Sequence, residues 1–211
     1  MILDLHSHSV ASDDGRAKVE NYCQWIQRKK LPLDGFVLTE HRQFDEANDY
    51  RALEDRFGLL ILKASEVETE YGHVLVFGVN DDLRVAFDFA KIDNPLATVL
   101  AEAKRAGAIA IPCHPGRPKV GMCAHWETRG PVEGIQTIET LNGGSREGEN
   151  EEAQAYADKY GWNSIGGSDA HIVSHIGRCA TRFEDEIRDI SGLVEALSEG
   201  RFEATLPESG R

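Results

Sequence analysis

LDLHSHSVASDDG, residues 3–15, decides how this chain is read. With Ile2 ahead of it, the stretch begins as a short apolar strand, and Asp4, His6, His8 and Asp13 then follow one another closely. If the extended backbone continues through His6 and His8, both side chains share a face, about 7 Å apart along it. That spacing lets two imidazoles reach a common ion. A solvated loop could carry the same residues without purpose, so the rest of the chain has to decide.

Outward from this stretch, short apolar runs alternate with helical patterns. Strands are predicted over residues 2–5, 35–39, 59–62, 73–79, 108–112, 134–141 and 163–166. Helices are predicted over 19–28, 46–57, 95–106, 149–160 and 192–198, the last ahead of a polar tail. The spacing of Val19, Tyr22, Cys23 and Ile26 is helical. Pro95 opens one helix, and Gly107 and Gly161 stand where two helices stop. Short strands with no polar face favour a parallel sheet in an α/β domain. An open doubly wound sheet and a barrel both fit, but no G-x-G-x-x-G or P-loop supports a nucleotide-binding open sheet.

Five strand ends carry chemistry. Besides the opening stretch they are Leu38-Thr-Glu-His41, then Ala64-Ser-Glu66-Val-Glu68 with Gly72-His73 close behind it, Ile111-Pro-Cys-His114-Pro-Gly-Arg117, and Gly166-Gly-Ser-Asp169-Ala-His171. A (β/α) barrel collects functional residues from the carboxyl ends of many strands, so this placement favours a barrel, a single domain over residues 1–211. Carboxylates gathered without a counter-charge cost several kcal/mol each. Divalent cations remove that cost, and imidazole with carboxylate suits zinc, manganese or iron. The donors outnumber one tetrahedral shell, which calls for two or three ions.

In combination, D-x-H-x-H-S-x-x-S-D, T-E-H, a glutamate strand end followed by G-H, H-P-G-R, I-E-T-x-N-G and G-S-D-A-H resemble the PHP (polymerase and histidinol phosphatase) family of metal-dependent phosphoesterases. The matches run in order from Asp4 to His171. The resemblance implies a distorted seven-stranded, TIM-like (β/α)7 barrel with a trinuclear metal centre. It implies that His6, His8, Glu66 and Asp169 hold one ion, that Glu66 bridges to a second held with His73 and His114, and that Asp13, His41 and His171 hold a third. Ser12-Asp13-Asp14-Gly15 departs from the family's S-D-G, so Asp14 could replace Asp13. Thr39-Glu40-His41 departs from T-D-H at a position not expected to be a ligand. Asp4 is expected to orient a ligand histidine.

The implied chemistry is hydrolysis of a phosphate ester by a water shared between two ions, with Glu66 and Asp169 at the reacting centre. Arg117 and Arg178 are the candidates to meet phosphate oxygens, because a guanidinium pairs with them bidentately. Glu139 and Asn142 are placed at the substrate pocket or its loop. His125 and His175 are read as surface or loop residues, and Trp126 falls in a long connection over 119–132 that could close over a substrate. Cys113, next to His114 on a buried strand, is expected to point to the opposite face and pack in the core. The favoured substrate is a small phosphomonoester, with a nucleotide or cyclic phosphodiester as the alternative. A non-catalytic metal-binding regulatory domain and a metal-dependent amidohydrolase are further readings. The latter wants a bridging lysine, for which Lys63 stands nearest.

Composition narrows the partners. Apolar residues make up 41 % of 211, enough for one sizeable core. A formal net charge of −13 argues against stable binding of a nucleic-acid polymer. Cys23, Cys113, Cys123 and Cys179 form no C-x-x-C pair and suggest no disulfide framework. The first residues lack a basic leader, and no apolar run nears the roughly 20 residues needed to span a bilayer, so a cytoplasmic protein is expected. The sequence leaves its oligomeric state open.

Overall fold

The computed structural model describes residues 1–207. The chain opens with β1 (Ile2–Ser7), α1 (Val19–Lys29), β2 (Gly35–His41), α2 (Arg51–Phe57) and β3 (Leu60–Thr69). The three strands are parallel neighbours, with helices returning the chain between them. Then β4 (Gly72–Phe77) doubles back antiparallel on β3. After α3 (Asp81–Ala86) and α4 (Leu96–Arg105), β5 (Ile109–Pro112) pairs antiparallel with β4. Next come α5 (Cys123–Arg129), β6 (Thr137–Asn142), α6 (Glu149–Tyr160), β7 (Asn163–Gly167) and a 3-10 turn at Val173–His175. The chain closes with β8 (Ala180–Phe183), α7 (Ile190–Glu199) and β9 (Phe202–Thr205).

Alternation along the strands sorts the core. Val37, Leu75, Phe77 and Ile111 point into the concave side with Leu3, Leu5 and Ile165, where Leu193, Ala196 and Leu197 of α7 cover them. Phe36 and Leu38 face outward onto Tyr22, Cys23 and Ile26 of α1. Val74 and Val76 face outward onto Leu96, Val99 and Ala103 of α4. Each fully buried side chain of this size contributes about 1.5–3 kcal/mol, so two shells of apolar contact fix the sheet between them.

The expected α/β single-domain class holds, but the distorted (β/α)7 barrel does not appear in full. The protein is a mixed α/β domain with a curled seven-stranded sheet in the order β5-β4-β3-β2-β1-β8-β9, beside a separate parallel pair, β6-β7. The reason lies in β8, which runs antiparallel on β1 and occupies the edge where a closing strand would bond. Thr181 of β8 uses its hydroxyl both to accept from Gly166 N and to donate to Gly166 O, each at 2.9 Å. Only past the end of β8 does the β7 chain reach β1, through Asp169 N to His6 O at 2.7 Å and His8 N to Ala170 O at 2.8 Å. Those two bonds tie the ends of β1 and β7 together where the histidines stand.

Helix α2 also begins later than the predicted residue 46. Buried Asp45 accepts from Asn48 N at 3.2 Å, Asn48 Nδ2 at 2.8 Å and Tyr50 Oη at 2.6 Å, so a side-chain-stabilised turn replaces the first helical turn. The 119–132 connection contains α5, with Cys123 and Trp126 buried.

Candidate metal centre

The strand ends converge because two strands carry an extra residue. Relative to β2, β1 has one more residue between Asp4 and Ser7, and relative to β7, β6 has one more between Glu139 and Leu141. A bulge re-aims side chains. Here His6 joins the concave face directly after Leu5, and Glu139 and Asn142, three apart, meet through Asn142 Nδ2 donating to Glu139 Oε2 at 2.8 Å. Three non-glycine residues in or beside the site hold left-handed backbone: Arg42 at φ 55°, His114 at φ 31° and Asp169 at φ 51°. Such conformations cost about 1–3 kcal/mol each and persist where the surroundings over-determine them.

Glu66 is the hub. Its Oε2 lies 3.1 Å from His6 Nε2, 3.1 Å from His8 Nε2 and 3.2 Å from His41 Nδ1. Its Oε1 lies 2.6 Å from His73 Nδ1 and 3.1 Å from His114 Nε2. Asp169 Oδ1 adds contacts of 3.4 Å to His6 Nε2 and 3.3 Å to His8 Nε2. His171 Nε2 stands 3.4 Å from His41 Nε2. The loop after β1 brings Asp14, not Asp13, to that pair: Asp14 Oδ2 is 3.1 Å from His171 Nε2 and 3.5 Å from His41 Nε2. Asp13 turns away to pair with Arg42 at 2.5 Å.

These donors fit divalent ions. With nitrogen and oxygen ligands at 2.0–2.2 Å, neighbouring donors around a tetrahedral ion stand roughly 3.3 Å apart, close to the 3.1–3.4 Å of most pairs here, the 2.6 Å His73–Glu66 contact excepted. Asp169 Oδ1 is buried and has no hydrogen-bond partner, although Asp169 is only 5 % exposed. A carboxylate oxygen left without a hydrogen bond among imidazole nitrogens is a donor suited to a cation. The protonation pattern agrees. Burial disfavours charge on His6, but Glu139, Asp169 and Glu66 outweigh it and hold its pKa well above the usual value. Burial likewise opposes charge on His8, and its contacts with Asp169 and Glu66 lift it to about 9. Burial would raise Glu66, yet His6, His73 and His41 hold it well below the usual carboxylate range. Burial prevails at His41, lowering it to about 4. Without ions, shared protons supply the counter-charge.

A surrounding layer fixes these groups. Glu139 Oε1 accepts from His6 Nδ1 at 3.0 Å and Oε2 from His114 N at 2.8 Å, which sets the His6 tautomer with Nε2 free for an ion. Asp4 binds Ser168 N and Gly177 N, each at 2.8 Å, so it anchors the loop carrying Asp169 rather than a histidine ring. Burial pushes its pKa up to about 6. Glu40 holds the loop after β1, accepting from Ser9 N at 3.1 Å and Ser12 Oγ at 2.5 Å. Arg117 leans into the site, with Nη2 2.6 Å from Asp169 Oδ2 and 2.7 Å from Asn142 Oδ1. Arg178 stays on the exposed rim, 3.4 Å from Gly143 O. Lys63 binds Asn48 O, away from the donors, and His125 meets the carbonyl of Lys119.

One expectation is overturned. Cys113 does not turn its side chain away from the site: Sγ lies 3.5 Å from Glu66 Oε1 and 3.5 Å from His114 Nε2. Alternation of faces presumes extended backbone, and the left-handed His114 breaks it, so adjacent side chains converge.

Comparison with known proteins bears on the fold. A family model described as PHP-associated matches residues 147–202. The match covers about a quarter of the chain. Comparison with curated proteins finds no match. Among solved structures, PsfC from Pseudomonas syringae has TM-score 0.69 at 19 % identity, over 97 % of this chain and 91 % of its own. A Bifidobacterium adolescentis protein, provisionally described as a metal-dependent phosphoesterase, has TM-score 0.59 at 17 % identity over 94 % and 96 % of the two chains. The lesion-specific endonuclease PfuEndoQ from Pyrococcus furiosus has TM-score 0.67 at 14 % identity, over 96 % of this chain and 57 % of its own. At such identities the shared property is the fold.

Proposed function

We propose that this chain is a metal-dependent phosphoesterase that hydrolyses the phosphate ester of a small molecule. The reading rests above all on one observation: Glu66 touches five histidines from different parts of the chain, with Arg117 beside them. His6, His8, Glu66 and Asp169 would hold one ion, Glu66, His73 and His114 a second, and His41, His171 and Asp14 a third. Bound divalent ions supply Lewis acidity to a water and to the phosphoryl oxygens. Arg117 uses one nitrogen on Asp169 and Asn142, and its other N–H groups are free in chemistry to bind phosphate. Glu139 keeps His6 oriented while charge moves. Asp169 holds Arg117 in place, so guanidinium and carboxylate act as one unit. The exposed Arg178 is proposed to steer phosphate at the rim. The formal charge of −13 supports a small, metal-attracted substrate over a polymer.

A phosphodiester substrate is the second reading, favoured by the fold shared with PfuEndoQ and with an Endonuclease Q solved in complex with a 27-mer duplex substrate bearing an abasic lesion. The test combines elemental analysis of protein purified without chelator with hydrolysis of chromogenic phosphate mono- and diesters on the same sample. Two to three zinc, manganese or iron ions per chain with faster monoester turnover is the expected result. Preferential diester turnover would select the second reading. Less than one ion per chain, not restored by adding metal, would overturn both.

A further inference from the structure

Cys113 is the one donor-bearing side chain in the cluster that the phosphoesterase reading does not use. It is wholly buried. Its sulfur stands among His6, Glu66 and His114, with one potential ligand atom from each of these residues within 4.8 Å of the others. Cys113 also belongs to the apolar cluster that contains Leu75 and Ile111, which plain core packing would explain. Packing alone, however, does not account for its position. With Zn–S near 2.3 Å and Zn–N or Zn–O near 2.0–2.1 Å, the sulfur-to-nitrogen and sulfur-to-oxygen edges of a tetrahedron are about 3.5 Å. Both edges from Sγ, to Glu66 Oε1 and to His114 Nε2, measure 3.5 Å. The edge from Glu66 Oε1 to His114 Nε2, at 3.1 Å, closes a triangular face of the size that an ion needs. The buried cluster also contains the orphaned Asp169 oxygen, an independent sign that cations belong there.

We infer that Cys113 is a metal ligand, its sulfur joining Glu66 and His114 around one ion of the cluster. This rests on the reading of the cluster as a metal centre. Coordination needs no oxidant: the S–H proton leaves to solvent or base as the metal–sulfur bond forms. A soft sulfur donor biases that position toward zinc or iron and away from manganese or magnesium.

Metal-free protein is loaded with Co2+ and its absorption spectrum recorded for the wild type, Cys113→Ser, Cys113→Ala and the control Cys23→Ser. The wild type and the control are expected to show a near-ultraviolet sulfur-to-cobalt charge-transfer band that both Cys113 variants lose, while visible ligand-field bands persist. Competition between Zn2+ and Mn2+ should shift by about tenfold or more against zinc in Cys113→Ser. Bound Co2+ with no charge-transfer band in the wild type, or a band that survives Cys113→Ser, overturns the assignment and leaves the metal centre standing. Failure of the wild type to bind Co2+ or Zn2+ overturns both. Should the variants not fold, X-ray absorption on zinc-loaded wild type decides: a sulfur scatterer near 2.3 Å is expected, and a shell of nitrogen and oxygen alone refutes it.

Discussion

Asp13 and Asp14 are chemically identical neighbours, and the backbone between them decides which one faces the histidines. Asp14→Asn is therefore expected to lower bound metal by about one ion per chain, whereas Asp13→Asn should leave the stoichiometry unchanged and free Arg42 from one of its partners, as elemental analysis can check. Glu139→Gln keeps the shape but weakens the acceptor for His6 Nδ1; metal affinity should fall about 10–100-fold, measured by competition with a chromogenic chelator. Arg117→Ala removes a charge-assisted contact worth about 1.5–3 kcal/mol, so KM for a phosphate monoester should rise roughly ten- to a hundredfold with metal content unchanged. His6, His41, Glu66, His114 and Asp169 were legible as candidate donors because each stands at or just past the end of an apolar run. The choice between the two aspartates was not legible, and neither was the inward turn of Cys113, since both depend on loop torsions that spacing does not encode.

At the scale of elements, the position of His6 depends on how closely β7 passes β1. A Cβ added at Gly167 would meet His6 Cβ at 2.3 Å and Glu139 Oε1 at 2.8 Å. Gly167→Ala should therefore displace the histidine, lowering both metal content and thermal stability by an overpacking cost of about 1–3 kcal/mol, read by elemental analysis and a melting curve. The parallel opening strands, the helices that cover them and the final helix could be read from apolar spacing. Strands β8 and β9, four residues each, could not, and they are what hold the sheet open. Ala-Thr-Arg-Phe and Phe-Glu-Ala-Thr are too short to show a period, and their pairing with each other becomes visible only in space. The late start of α2 escaped notice for a similar reason: Asp45 bonds to its own turn, and helical spacing does not register that competition.

For the whole molecule, the histidine–carboxylate cluster couples stability to pH and to metal. His6 and His8 hold protons more tightly folded than unfolded. Their contribution is complete below about 6.5, the ordinary histidine value, and is lost as pH rises through the folded value, about 9 for His8. Chelated protein should accordingly melt at falling temperature between pH 7 and 9, by about 2–4 °C per kcal/mol lost, while metal-loaded protein, whose ions replace those protons, should not. A scanning calorimeter at three pH values, with and without chelator, checks both halves. No helix among the described residues is long and apolar enough to cross a membrane. The left-handed backbone at Arg42, His114 and Asp169 has a consequence for directed evolution. A selection for heat resistance run in the presence of chelator would reward replacements that relax these three torsions, since the ions that justify them are gone. The survivors would be hardier proteins with their chemistry erased, and the changes would concentrate at the rim of the cluster rather than scatter through the core.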